Sequence, residues 1–216
     1  MSTRHRLPPG ARIKAVTASG SIVVIAEERE DVQIEPETRH VGLSEDGHRL
    51  EIKSKSSSLE IRCPAGTNVS AGTISGSIEL RGLLGTVKAS AVSGGIKIDR
   101  ANGDVDIRSV SGSLRVESCG GECNANTKSG NIGVTHVGKA ARAATISGSV
   151  QLGTDGQAEV LVKTISGSIT VRVPEGRYPH VRFRTLSGRL HCDCPQGTDF
   201  EISAHSLSGS MEVKAE

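Results

Sequence analysis

The sequence predicts an all-β fold, a single-chain β-solenoid of about ten coils with an 18–21-residue repeat. Three observations predict it. A Ser-Gly pair recurs with its Ser at 19, 75, 93, 111, 129, 147, 166, 187 and 208, and from Ser75 the successive steps are 18, 18, 18, 18, 19, 21 and 21. Alignment on that Ser turns the chain into apolar columns of period 2, the pattern of strands with one buried face. Only Tyr178, Phe183 and Phe200 among 216 residues are aromatic, so the core is built from Val, Ile, Leu, Ala and Cys. That composition counts against a deep aromatic-lined pocket, an aromatic sugar platform and a base-stacking surface.

Residues 1–10 read as an N-terminal tail and 11–216 as the solenoid, with an irregular stretch over 31–60 and regular coils over 61–216. Six residues before each Ser stand Ile13, Val69, Val87, Val105, Cys123, Ala141, Val160, Val181 and Ile202. Four before stand Ala15, Ala71, Ala89, Ile107, Ala125, Ala143, Val162, Phe183 and Ala204. Polar residues such as Lys88, Asp106, Arg108 and Lys163 lie between these columns, giving a first strand. Three and five residues after the Ser, Ile78 with Leu80 and Ile96 with Ile98 begin a second set of inward columns, so each coil carries two strands.

The inward parity changes between the two strands. The apolar residue before the Ser (Ile74, Val92, Val110, Ile146, Ile165, Leu186, Leu207) places the bend there, just ahead of the Ser-Gly, with the Gly turned inward towards the opposite wall. Short corners such as Arg100-Ala101-Asn102-Gly103 close each coil, and the longer Pro174-Glu175-Gly176 and Pro195-Gln196-Gly197 explain the stretch from 18 to 21. In the irregular stretch, Glu35-Pro36-Glu37-Thr38 and Ser44-Glu45-Asp46-Gly47 read as turns around a strand pair, Val32–Ile34 with Arg49–Lys53.

Lys plus Arg number 26 and Asp plus Glu 24, a balance that predicts neither a nucleic-acid partner nor an acidic membrane. No apolar run is long enough to span a bilayer and none follows the basic N-terminus, so the expectation is a cytoplasmic protein without direct membrane insertion.

Five cysteines occupy columns where small apolar residues belong. Cys123 stands for Val105, Cys192 for Val171, Cys194 for Val173, Cys63 before a Pro in the same way, and Cys119 at the corner place of Leu83, Ala101 and Val137. They read as core filler, with no metal and no cofactor. Gly133–Ala140 approaches a phosphate-binding loop, but its last residue is Ala and it falls on a repeat corner with no helix behind it. Asp104 and Glu122 hold equivalent places one coil apart, the one route to an acid/base pair. Other outward ladders pair opposite charges, Lys88 with Asp106 and Glu79 with Lys97, which favours a solvated face. The histidines 5, 40, 48, 136, 180, 191 and 205 share no column and read as surface residues.

The possible interaction face is the pair of hydroxyl ladders formed by Ser75 and Ser77, Ser111 and Ser113, Ser147 and Ser149, and Ser166 and Ser168, all facing out on a flat wall. The motifs Ser75-Gly76-Ser77-Ile78, Ser147-Gly148-Ser149-Val150 and Ser166-Gly167-Ser168-Ile169, fed by Pro-x-Gly corners, resemble the bacterial "putative adhesin" β-strand-repeat family over roughly residues 11 to 216. The resemblance implies a β-solenoid and an adhesin-like role. The expected function is a non-catalytic scaffold or binding module, monomeric or a small homo-oligomer, presenting a flat face to a protein or glycan partner. Two alternatives stand beside it: a self-assembling cytoskeletal solenoid similar to bactofilin, and a carbohydrate-active β-helix hydrolase or lyase. Charge on the last coil (Glu201, Glu212, Lys214, Glu216) argues against end-to-end assembly.

Overall fold

The computed structural model describes residues 3–7, 10–36, 41–44 and 47–216, and among them all regular secondary structure is strand. The chain opens with β1 (Thr3–Arg6), β2 (Arg12–Ser19), β3 (Ile22–Glu27), β4 (Asp31–Glu35), β5 (Val41–Leu43), β6 (Arg49–Ser54) and β7 (Leu59–Pro64). The regular run follows as β8 (Asn68–Ser75), β9 (Ile78–Leu84), β10 (Val87–Ser93), β11 (Ile96–Ala101), β12 (Val105–Ser111) and β13 (Leu114–Cys119). It continues with β14 (Glu122–Ser129), β15 (Ile132–Val137), β16 (Ala140–Ser147), β17 (Val150–Gly153), β18 (Glu159–Ser166) and β19 (Ile169–Val173). Last come β20 (His180–Arg184), β21 (Leu190–Cys192), β22 (Glu201–Ser208) and β23 (Met211–Ala215).

Two sheets face each other. An 11-stranded first sheet holds the strand before each Ser-Gly, and a 12-stranded second sheet holds the strand after it. The coil-to-coil pairing is parallel and in register: Val69, Val87, Val105, Cys123, Ala141 and Val160 align in one inward row, and Ile78, Ile96, Leu114, Ile132, Val150 and Ile169 in the other. These residues are at most 2% exposed, so the alternation read in the sequence is the alternation of the walls. At Gly82 a bulge shifts the register of β9 by one, which puts Leu84 rather than Leu83 in the row of Ala101 and Cys119.

Ten coils form, but their stacking order is not their sequence order. β6 and β7 lie outside β2 and β3, whereas β8 and β9 lie on the other side of them. At the other end β22 and β23 insert between β18/β19 and β20/β21. The coil taken from the sequence as the last is therefore the penultimate one, and Glu201, Glu212 and Lys214 do not lie on the terminal edge.

The two displaced coils depart from the rest in different ways. β6/β7 has Ser56-Ser57 where the others have Ser-Gly, yet its inward residues Leu50, Ile52, Leu59, Ile61 and Cys63 are at most 1% exposed; β21 is exposed or half-buried throughout, while Ile202, Ala204, Met211 and Val213 are at most 1% exposed. The outermost coil β20/β21 has one neighbour instead of two, so an incomplete apolar pattern costs least there, whereas β6/β7 is covered on its outer side by β4 and β5.

The irregular stretch also differs from expectation. β4 and β6 do not pair with each other: β4 joins the second sheet antiparallel to β7, and β6 joins the first sheet parallel to β2. Residues 3–6, within the stretch read as a tail, form β1 antiparallel to β4, and β5 lies antiparallel to β6. His40 and the turn positions Glu37, Thr38, Glu45 and Asp46 lie outside the described residues.

Candidate interaction surface

Each Ser-Gly forms the corner between the two sheets. The first-sheet strand ends on the Ser, and the second-sheet strand begins three residues later. The bend therefore falls on the Gly itself and not ahead of the Ser. The Gly is not required by the opposite wall either. A Cβ on Gly94 would lie 1.9 Å from the carbonyl oxygen of Gly76, and one on Gly130 2.2 Å from that of Gly112, both with φ near +150°. The constraint comes from the neighbouring coil along the axis, where backbone meets backbone.

The Ser rows flank this corner and do not lie on a flat wall. Ser75, Ser93, Ser111, Ser129 and Ser147 pair in register, followed by Ser166 and Ser208. Of the proposed face, Ser75, Ser77, Ser111, Ser113, Ser147, Ser166 and Ser168 are exposed and Ser149 is half-buried. Ser21 Oγ and Ser77 Oγ are 3.1 Å apart, a direct hydroxyl contact between adjacent coils. The backbone at the corner is fully used: Gly112 N donates to Ser129 O at 3.0 Å and Leu114 N to Asn131 O at 2.8 Å.

One column escaped sequence reading and another was misassigned. Two residues before the Ser, Thr17, Thr73, Ser109, Thr127, Thr145 and Thr164 are buried. Four of them donate to a Gly carbonyl at the corner of the adjoining coil: Thr73 to Gly20 at 3.2 Å, Ser109 to Gly94 at 3.3 Å, Thr127 to Gly112 at 3.3 Å and Thr145 to Gly130 at 3.4 Å. The signal was visible as a Thr/Ser column at an inward parity. One residue before the Ser, the apolar column taken to mark the bend points outward: Ile74 is 56% exposed, Ile146 and Ile165 48%, and Leu186 83%.

The chemical candidates do not assemble a reacting site. Asp104 Oδ1 accepts the backbone N–H of Glu122 at 2.9 Å, and Glu122 Oε2 accepts from Arg142 at 2.8 Å, so both carboxylates are held in corner and ladder contacts. Lys88 and Asp106 are register partners, but Asp106 is bound by Arg108 on its own strand at 3.2 Å; Glu79 does reach Lys97, at 3.9 Å. The Arg81 hydrogen bond at 2.9 Å holds Glu79 below the usual carboxylate range. The phosphate-loop lookalike runs from β15 through a corner directly into β16, a strand.

A cleft of about 430 Å³ opens on the second sheet where Gly133 and Gly153 supply no outward side chain. Two side-chain contacts lie within it, His136 Nδ1 with Asp155 at 3.6 Å and the Arg172–Glu216 ion pair at 3.4 Å. Of the described histidines, His48, His136 and His191 are exposed, whereas His5, His180 and His205 are half-buried.

All five cysteines are free thiols; Cys63, Cys119, Cys123 and Cys194 are buried and Cys192 half-buried. Burial pushes the Cys63 and Cys194 thiols up to about 11. In the Cys119–Cys123 contact the shared hydrogen bond lowers Cys119 and raises Cys123. Among the described residues no cluster of three or more His, Cys, Asp or Glu is arranged to hold a metal.

A solved structure described as a "putative adhesin" from Bacteroides fragilis is similar at 15% identity, with a TM-score of 0.59, covering 99% of this chain and 96% of that one. A "putative cell adhesion protein" from Clostridium sporogenes aligns at 12% identity with a TM-score of 0.31, covering 100% of this chain and 99% of that one. No curated protein matches the chain. Residues 40–180 match the family model described as Toastrack DUF4097.

Proposed function

The chain belongs to the Toastrack DUF4097 family, and we propose that it is a non-catalytic, adhesin-like scaffold that presents its solenoid surface to a protein or glycan partner. The observation that carries this reading is the set of in-register ladders along the Ser-Gly corner, where the same outward groups repeat over successive coils at about 4.8 Å. Such an array multiplies a weak contact along one line, which suits a repeating or extended partner. The carboxylates that a hydrolase would need are bound in lattice-like contacts with backbone and arginine, which supports a display role over catalysis.

The test pairs a glycan array and cross-linking to co-expressed proteins with two corner variants, Ser111→Arg and Ser147→Arg. Both Ser side chains point to solvent, so the fold is expected to persist while any partner bound along the corner is lost. Retention of the same partner by both variants would remove the corner from the proposal. Light scattering with electron microscopy separates this reading from the self-assembling one: discrete particles are expected, and filaments at micromolar concentration would overturn it.

A further inference from the structure

We propose that the outer wall of the first sheet docks, without insertion, on an anionic phospholipid bilayer, with the aliphatic ridge beside the Ser corner as its apolar contact. This rests on the reading of the solenoid as a display scaffold and assigns one wall a chemistry that reading leaves open.

The ridge is the first observation. Among the described residues, seven of the ten exposed large apolar side chains belong to one column, the position before the Ser: Ile74, Val92, Val110, Ile146, Ile165, Leu207 and Leu186, between 41% and 83% exposed. In stacking order they occupy seven of eight successive first-sheet strands, from β8 to β20, interrupted only by Lys128. Aliphatic groups in a straight line, aligned by the register of the coils, form a continuous exposed edge that water penalises.

Charge is the second. The strands of the first sheet carry eleven Lys or Arg and five Asp or Glu, all on the outer wall because the inward columns hold none. The strands of the second sheet carry nine and eight. The near-neutral total of the chain therefore conceals one strongly basic wall. Four of its five acids are already in ion pairs, Glu51, Asp106, Glu122 and Glu201, while Lys88, Lys128, Lys163 and Arg184 have no ion-pair partner among the described residues.

Shape selects the occupant. A second copy placed wall to wall would oppose two surfaces of the same sign. A protein partner gains its affinity from aromatic and arginine anchors seated in pockets, and this wall has open depressions and no outward aromatic among its described strands, Phe183 of β20 being packed against the core. A flat basic wall with an aliphatic border fits a planar anionic surface, where lysine stems lie along the headgroups and Ile and Leu enter the interfacial layer. No described helix is long and apolar enough to cross a membrane, and none is needed for this mode of contact.

The test is vesicle flotation with the purified chain, comparing phosphatidylcholine vesicles with phosphatidylcholine vesicles containing phosphatidylglycerol. Binding is expected only to the anionic vesicles, falling about tenfold or more when salt is raised to about 0.5 M. Lys88→Glu/Lys128→Glu/Lys163→Glu is expected to lose at least about tenfold, and Ile146→Ser/Ile165→Ser several-fold, with melting temperatures near the parent because every changed side chain is exposed. The single variant Lys163→Glu keeps the comparison available if either multiple variant melts early. Lys97→Glu/Arg115→Glu, on the second sheet, is expected to bind like the parent.

Equal binding to neutral and anionic vesicles, no binding to either, or equal losses from the two walls would overturn the proposal. Capture of poly-L-glutamate without capture of anionic vesicles would overturn it in favour of an acidic polypeptide. None of these outcomes touches the corner variants and their partner assay, so bilayer docking and the display reading fail separately.

Discussion

Substitution of Gly130 by Ala tests what holds the coils at their spacing. The added Cβ would lie 2.2 Å from the carbonyl oxygen of Gly112 and 2.6 Å from its carbon, and the residue has φ +151°. Ordinary contact begins more than 1 Å farther out, so either the β14/β15 coil withdraws from its neighbour or the bend rotates. Strain at a Gly-only conformation costs about 1–3 kcal/mol. Withdrawal also weakens the bonds Gly112 N to Ser129 O and Leu114 N to Asn131 O, each worth about 1 kcal/mol. The expected loss is about 3–5 kcal/mol, or a melting temperature lower by about 10 °C in a chain of this size.

Gly133→Ala is the matched control. It lies on the outer face of β15, with nothing within 4 Å of its added Cβ and no positive φ, so it should be neutral or gain about 0.5 kcal/mol. Far-UV circular dichroism melts and urea titrations read both. A Gly130→Ala melt within about 2 °C of the parent would refute the argument that the neighbouring carbonyl dictates the glycine.

Val105→Asp puts a carboxylate into a fully buried row between Val87 and Cys123, and a loss of several kcal/mol with disrupted folding of the array is expected in chemical denaturation. At pH 8 a thiol-labelling reagent should modify Cys192 fastest and reach all five cysteines only in denaturant, because the other four are buried; quantitative mass spectrometry reads the order. The raised Cys63 thiol adds a pH dependence. Its stabilising preference for the neutral form is intact below 9.0 and lost as pH rises from 9.0 to about 11, so urea midpoints should fall across that window, and a Cys63→Val chain should lose part of the fall. Phe200→Ala removes a side chain only 7% exposed near the β20/β21 end, and hydrogen exchange should show lost protection in β20–β23 with the coils from β8 to β17 unchanged; a uniform loss along the array would contradict near-neighbour stacking.

Period and parity in the sequence were sufficient for the walls. Val87, Val105 and Ile96 are buried because every second residue of a strand points one way, and one chain of period-2 columns admits one assignment of inside and outside. The corner was less legible because two consecutive residues there, the Gly and the one after it, leave the strand geometry. Ile146 was taken as a mark of the bend by its apolarity, yet it belongs to the outward parity of β16, and the parity rule applied through to the Ser would have placed it in solvent. The Ser rows were correctly turned outward, but their place on a corner depends on the positive φ of the following Gly, a conformation that no column of side chains encodes. The basic wall was hidden by arithmetic: 26 cations against 24 anions sums a basic first sheet with a nearly balanced second sheet and with the residues outside the strands, and the excess shows only when strands are assigned to sheets.

Stacking order was the least legible feature, because the inward columns of different coils are chemically interchangeable. What sets the β20/β21 coil apart is its incomplete inward pattern, tolerated where only one coil adjoins it, whereas β6/β7 keeps a complete inward row and is displaced without such a mark. This also changes the argument about assembly. The charges first set against end-to-end growth belong to an interior coil, but the true ends carry their own. β1 presents Arg4 and Arg6 at one end, and β20 presents Arg182 and Arg184 at the other. Growth by stacking the far end of one copy on the near end of the next would seat β21 against β1 and β20 against β5, and β1 and β5 run antiparallel to the strands they cover, so neither continues the parallel pattern an incoming coil would need. All three aromatic residues, Tyr178, Phe183 and Phe200, fall within the segment that finishes the opposite end. Inside the array a ring has no room between stacked aliphatic rows; at the end, where one neighbour is missing, its extra area covers the core that the absent coil would have covered.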